Sequence, residues 1–166
     1  MLKKQAENQE GFDVGVVVAV NISVKKGVPK TMIDRGEFIE NFGLKGDAHA
    51  GNWHRQVSLL AQESIDKAAE SGAHGLFPGI FAENITTKGI VLYTLPVGTR
   101  FQINEVILEI TQIGKECHGK CAIYQKIGDC VMPKEGIFAK VIQSGVIKAG
   151  DEIIVLQEAP DIGTRI

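Results

Sequence analysis

Apolar residues along the chain fall mostly into short runs with a period of two, the spacing of half-buried strands. The clearest is Val106 to Ile113, VILEITQI. Val14 to Ser23, VGVVVAVNIS, is a β-branched run and predicts the first strand. Phe38 to Phe42, Val57 to Leu60, Gly136 to Gln143 and Glu152 to Leu156 predict further strands. Ala61 to Ser71 changes to a helical period, with Ile65, Ala68 and Ala69 on one face and Gly72 as its stop. VKKGVPK (24–30) reads as a basic turn, SGVIKAGD (144–151) as a hairpin-like turn, and TTKGIVLYTLPVGTRF (86–101) as turns between short strands. Cys121 to Ile127 has the makings of a second short helix.

About seven short strands with one or two short helices and no regular βα alternation argue against a doubly wound parallel sheet. The fold class predicted is mostly β, a closed or nearly closed barrel, because closure removes exposed strand edges. Nineteen glycines and 6% aromatic residues agree with many tight turns. No repeat or interdomain linker interrupts the pattern. One domain over residues 13–158 is therefore expected, with an arm at 1–12 and a loose tail at 159–166.

Charge narrows the function. A net charge of −2 gives no footprint for nucleic acid or an anionic membrane, so an anionic ligand must be met by local groups. No apolar run approaches the roughly 20 residues needed to span a bilayer, and the polar start lacks a signal-peptide core. The expectation is a cytoplasmic protein whose thiols stay reduced, which makes its odd number of cysteines unremarkable.

Candidate chemistry gathers in three stretches. All three cysteines, Cys117, Cys121 and Cys130, lie between Gly114 and Pro133, with His118, Lys115 and Lys120 beside them. These cations favour the thiolate, and Cys117 has the densest polar surroundings. A buried apolar role is the alternative for Cys121 and Cys130, which adjoin apolar residues. A zinc or iron–sulfur site built on Cys117, Cys121 and Cys130 is chemically acceptable, but the spacing C-H-x2-C-x8-C matches neither common zinc patterns nor ferredoxin runs. The second stretch, Gly43 to Arg55, sets Asp47, His49, His54 and Arg55 among glycines that include Gly46. It reads either as solvated loop decoration or as an anion site, with the Arg55 fork and freed backbone N–H groups as donors. Asp47 and His49 alone are too few to argue a metal. The third, PGIFAENI (78–85), ends in Glu83 and Asn84, which either satisfy loop backbone or face a cleft and hold a ligand.

With these motifs in order, the chain resembles the MOSC domain, the C-terminal domain of molybdenum-cofactor sulfurase, which also occurs as free-standing bacterial proteins. The resemblance rests on GLKGDAHAGNWHRQVSLL (43–60), PGIFAENI (78–85), LPVGTRFQI (95–103), IGKECH (113–118) and EGIFAKVIQSGVIKAGDEI (135–153). The family's hallmark cysteine usually follows a proline; here Glu116 precedes Cys117, which aligns with it by position and context. Cys121 and Cys130 are additional to the general pattern and look like the subgroup associated with molybdopterin biosynthesis genes in anaerobes.

The resemblance implies a β-barrel-like domain that handles the molybdenum cofactor (molybdopterin). Its hallmark cysteine carries sulfur as a persulfide or contacts the molybdenum. On this reading Cys117 is the sulfur-bearing residue, with Lys115 and His118 stabilising its charge. Gly46, Asp47, His49 and Arg55 receive the cofactor's phosphate, and Glu83 and Asn84 its ring edge. The pyridoxal-phosphate domain of the large sulfurases has no room here, so sulfur would come from a partner cysteine desulfurase and pass on to a molybdoenzyme. Relatives that reduce N-hydroxylated compounds with bound cofactor make a molybdenum-dependent reductase the other expectation.

Overall fold

Period-two alternation closes into a barrel. The computed structural model describes residues 14–114 and 132–157. The expected arm, tail and helix at Cys121 to Ile127 lie outside the described residues. Eleven strands are described: β1 (Val14–Ile22), β2 (Thr31–Ile33), β3 (Arg35–Ile39), β4 (Gly43–Leu44), β5 (Val57–Ala61), β6 (Ile85–Lys88), β7 (Arg100–Ile103), β8 (Val106–Ile113), β9 (Ile137–Gln143), β10 (Gly145–Lys148) and β11 (Glu152–Gln157). Seven of them form the barrel in the order β11-β7-β8-β9-β5-β6-β1, and a β1–β11 pairing closes it. Strand β2 lies beside β1, and β10, β3 and β4 form a small second sheet. All ladders are antiparallel except β5–β6, which is parallel and is joined by the helix α1 (Gln62–Glu70). A single turn, α2 (Met132–Glu135), precedes β9.

The barrel interior is filled by one face of each strand. Val106, Leu108 and Ile110 of β8, Val57 and Leu59 of β5, and Ile137, Ala139 and Val141 of β9 all belong to it. The opposite face of β5 and β9 carries Leu60 and Phe138, which pack outside the barrel with Ile65, Ala68, Ile80 and Phe81. Each such large side chain contributes about 1.5–3 kcal/mol when removed from water. That outer cluster fixes α1 and the loop 76–82 against the barrel wall.

A bulge in β1 decides what the site looks like. Pairing with β6 shifts register between Val17 and Ala19. Val17 lies in the barrel core and so does Val20, an odd and an even position, which is what one extra residue does to a period of two. Asn21 is thereby turned out of the barrel, under the loop 79–84.

Several expectations shift. β3 begins three residues before the predicted Phe38, at Arg35, because Arg35, Gly36 and Glu37 pair with Lys148, Ile147 and Val146 of β10; at Gly36 a Cβ would fall 2.7 Å from Leu44 Cδ1. Strand β10 occupies residues read as a turn; only Ala149 to Asp151 turn, with Gly150 at φ +95° and Asp151 accepting the Lys148 N–H at 2.8 Å. On α1, Ser64 rather than Ala69 is buried beside Ile65 and Ala68, because its hydroxyl donates to Glu135. Gly72, at φ +112°, stops the helix as expected. No described helix is long and apolar enough to cross a membrane.

Candidate functional site

The two glycine-rich loops meet at the end of β1. The Lys30 N–H donates to Gly79 O at 2.7 Å, and the Asn21 amide donates to Glu83 O at 3.0 Å and to Thr86 Oγ1 at 3.1 Å. Gly79 has φ +95°, and a Cβ there would stand 2.4 Å from Lys30 O, so only glycine allows this approach.

Glu83 and Asn84 are the internal ties of their loop. The Glu83 carboxylate accepts the Gly79 N–H at 2.7 Å, the Phe81 N–H at 3.2 Å and the Thr86 hydroxyl at 2.6 Å, and the residue is 0% exposed. Burial pushes its carboxyl up to about 7 against those three donors. Asn84 Oδ1 accepts the Ser58 N–H at 3.0 Å, and its amide donates to Asn21 O at 3.2 Å. Of the two readings of this pair, the geometry describes loop support: neither side chain has surface with which to touch a ligand.

The loop Gly43 to Arg55 is built around a buried lysine. Lys30 Nζ lies 2.9 Å from Asp47 Oδ1, 2.9 Å from Ser23 Oγ and 3.1 Å from His49 Nδ1. Asp47 also accepts the Ser23 N–H at 3.0 Å and the His49 N–H at 2.9 Å. Burial works to raise the Asp47 carboxyl, but the contacts with His49 and Lys30 outweigh it and hold it well below the usual carboxylate range. Asp47 is thus an anchor, whereas His49 keeps an open edge and Gly46 is exposed.

Trp53 organises the outer side. Its indole N–H donates to His49 O at 2.8 Å. The Arg55 guanidinium stands 4.8 Å from the Trp53 ring centre and 5.4 Å from that of Phe138, and Lys26 Nζ lies 5.0 Å over the same indole. Among the described residues, Arg55 Nε is buried without a hydrogen-bond partner. No described carboxylate pairs with the guanidinium, which lies near two rings.

The cysteine stretch is rooted beside this arginine. His54 Nε2 lies 2.8 Å from Gln112 Oε1, and the Gln112 amide donates to Gly114 O at 2.8 Å. The Thr111 hydroxyl donates to His54 O. Because β9 lies between β5 and β8, these contacts carry the run 53–55 across the outside of β9. The Gly114 N–H donates to Gly136 O at 2.7 Å. Lys115, Cys117, His118, Cys121 and Cys130 lie outside the described residues. Among the described residues no cluster of His, Cys, Asp or Glu could hold a metal ion.

A separate shallow hollow is lined by Leu60, Ala61, Thr87, Tyr93 and Glu135 among others; Arg55 takes no part in it. Sequence reasoning missed Lys30, Trp53, Gln112 and Phe138. The only local signal for Lys30 is Pro29 before it. The described groups are cationic or donor groups near one indole, the Arg55 guanidinium, the Lys26 ammonium and a partly open His49, a set that can offer hydrogen bonds to an anion.

The sequence pattern of the MOSC domain family matches residues 45–154. Among solved structures, the YUAD protein from Bacillus subtilis has a TM-score of 0.70 at 19% identity, covering 87% of this chain and 96% of that one. YiiM from Geobacillus stearothermophilus has a TM-score of 0.67 at 18% identity, over 86% of this chain and 75% of its own. YiiM from Escherichia coli has a TM-score of 0.64 at 19% identity, over 90% and 71%. At these identities the likeness is one of fold. No curated protein matches the sequence significantly.

Proposed function

The chain belongs to the MOSC domain family, whose members are associated with the molybdenum cofactor, and on that premise we propose that it carries sulfane sulfur on Cys117 and presents it to that cofactor. The observation that supports this most is Arg55. Its guanidinium lies against the rings of Trp53 and Phe138, with Nε unpartnered among the described residues, and the preceding residue in the chain, His54, joins Gln112 and Gly114 just before the cysteine stretch. A planar fork held this way suits a phosphate, which accepts two parallel hydrogen bonds.

The phosphate end of the cofactor fits the donors present: Arg55, the open edge of His49, and backbone freed by Gly46. The ring edge is served by Glu83 and Asn84 only through the shape they give their loop. The soft metal–sulfur head is assigned to Cys117 by its chemistry. When bound, the cofactor supplies a molybdenum centre that accepts soft sulfur ligands. The chain's own step is loading. The Cys117 thiolate attacks the outer sulfur of a persulfide on a pyridoxal-phosphate-dependent cysteine desulfurase. The donor's S–S bond breaks, the donor cysteine leaves as thiolate, and Cys117 holds the sulfur as a persulfide with no net redox change. Lys115 and His118 stabilise the charge, and a molybdoenzyme receives the sulfurated cofactor.

The test is intact-mass analysis under anaerobic conditions after incubation with a cysteine desulfurase and free cysteine. A gain of one sulfur that maps to Cys117 and disappears in Cys117→Ala is expected. A protein that gains no sulfur, or gains it equally in the alanine variant, refutes the carrier role.

A further inference from the structure

We propose that Lys30 is a positioning residue that fixes His49 in one tautomer, so that its outer nitrogen is an N–H donor for an oxygen of the phosphate held by Arg55. The inference rests on the anion-binding reading of Arg55 and adds a second donor and the residue that sets it.

Two groups compete for His49 Nδ1. Lys30 Nζ lies 3.1 Å away and Asp47 Oδ2 3.6 Å away. An ammonium has only donors, so next to Lys30 the neutral ring must accept at Nδ1 and carry its proton on Nε2. A carboxylate has only acceptors and would draw the opposite tautomer, with Nδ1–H towards Asp47 and a lone pair on Nε2. An Nδ1–H given to Asp47 would help to hold that carboxyl low, but 3.6 Å is beyond hydrogen-bond reach and 3.1 Å is within it, and the His49 backbone N–H and Lys30 already stabilise the carboxylate, so the Lys30 contact decides. The ring is held further because Asp47 Oδ1 is occupied by Lys30 and the Ser23 N–H, and Oδ2 accepts the His49 N–H at 2.9 Å. Lys30 and Asp47 have 0% side-chain exposure, so water does not blur the choice, whereas the His49 side chain keeps 18%.

The His49 side chain is partly open, and its residue lies near Arg55 through Trp53. No described residue hydrogen-bonds to Nε2. The Trp53 indole N–H donates to the His49 carbonyl at 2.8 Å and its ring centre lies 4.8 Å from the Arg55 guanidinium, so both residues are neighbours of one indole. An N–H there adds a donor for an oxyanion; a lone pair there would repel it. Without Lys30, Asp47 would capture Nδ1–H and turn the edge from donor to acceptor. Loss of a hydrogen bond to a charged group then weakens phosphate binding roughly 10-fold.

The experiment is long-range proton–nitrogen NMR of protein labelled at the histidine nitrogens and the arginine side chains, titrated with inorganic phosphate, with His49→Gln to assign the signal. The wild-type protein should show His49 protonated at Nε2. Phosphate should move both that signal and the Arg55 Nε signal. Lys30→Met should switch the proton to Nδ1 and lower phosphate affinity roughly 10-fold, and Lys30→Arg should restore Nε2–H. A wild-type His49 protonated at Nδ1, or averaging between tautomers, overturns the inference without any variant having to fold. Phosphate that moves Arg55 but leaves His49 still also overturns it, while the reading of Arg55 stands. Phosphate that moves neither ends both.

Discussion

Glu83 makes the stability of the protein depend on pH in a direction opposite to that of an ion-paired carboxylate such as Asp47. Its carboxyl, ordinarily near 4.5, is raised to about 7 by burial at 0% exposure, despite donors at 2.6, 2.7 and 3.2 Å. A raised native value means that between pH 4.5 and about 7 the folded protein keeps a proton that the unfolded chain has released. Stability from this group is therefore full below pH 4.5 and falls as pH rises to about 7. At about 1.4 kcal/mol for each pH unit the loss amounts to about 3 kcal/mol, a large part of the roughly 5–15 kcal/mol that holds a domain together. Glu83→Gln isolates it. Glutamine keeps the shape and cannot ionise, and every other titrating group is common to the two proteins. Urea unfolding at intervals from pH 4 to 8 should show the wild type losing about 3 kcal/mol relative to the glutamine variant across this window. Parallel curves would refute the reasoning. So would a wild type that gains on the variant, which would mean that the three donors overcome burial and keep Glu83 ionised throughout.

Asp47 governs the acid limb with the opposite sign. Its carboxyl is held below its ordinary 3.8, so its contribution is present above that pH and lost below it, and Asp47→Asn should flatten acid unfolding followed by circular dichroism. Gly79→Ala should cost about 2–3 kcal/mol in urea unfolding, since φ is +95° and the new methyl would lie 2.4 Å from Lys30 O. Arg55→Lys should weaken phosphate binding by calorimetry about 10-fold or more while lowering stability by only about 1 kcal/mol, because the stacked planar fork is lost and the charge is kept.

How much of this was legible follows from the range of the forces involved. Val57–Ala61, Val106–Ile113 and Ile137–Gln143 announce themselves because alternation is local and one face meets a single core. Gly43–Leu44 and Gly145–Lys148 do not: short strands of a small second sheet owe their pairing to β3, not to their own pattern. The site residues divide in the same way. Asp47, His49 and Arg55 stand out as polar residues among glycines. Which way Glu83 and Asn84 face depends on Asn21, 62 and 63 positions earlier, and on a bulge that no local signal marks.

Lys30 shows why the family's pattern describes only part of the site. The match begins at residue 45, yet the groups that hold both loops in place, Asn21, Ser23 and Lys30, all precede it. With 0% side-chain exposure on both partners, Lys30 and Asp47 form a pair in which neither charge can be removed alone. Lys30→Met leaves the Asp47 carboxylate buried without its cation and should cost about 3–5 kcal/mol. Asp47→Asn removes the carboxylate from the buried ammonium and should also be destabilising. The double variant removes both charges, so its loss should fall short of the sum by about 2–3 kcal/mol in a double-mutant cycle measured by urea unfolding. Additive losses would show that the 2.9 Å contact carries no coupling, and Lys30 would then have no hold on the Asp47–His49 geometry. A coupling of the expected size ties position 30 to position 47 energetically: the GDAH turn keeps its form only in a chain that buries a cation against it from outside the matched stretch.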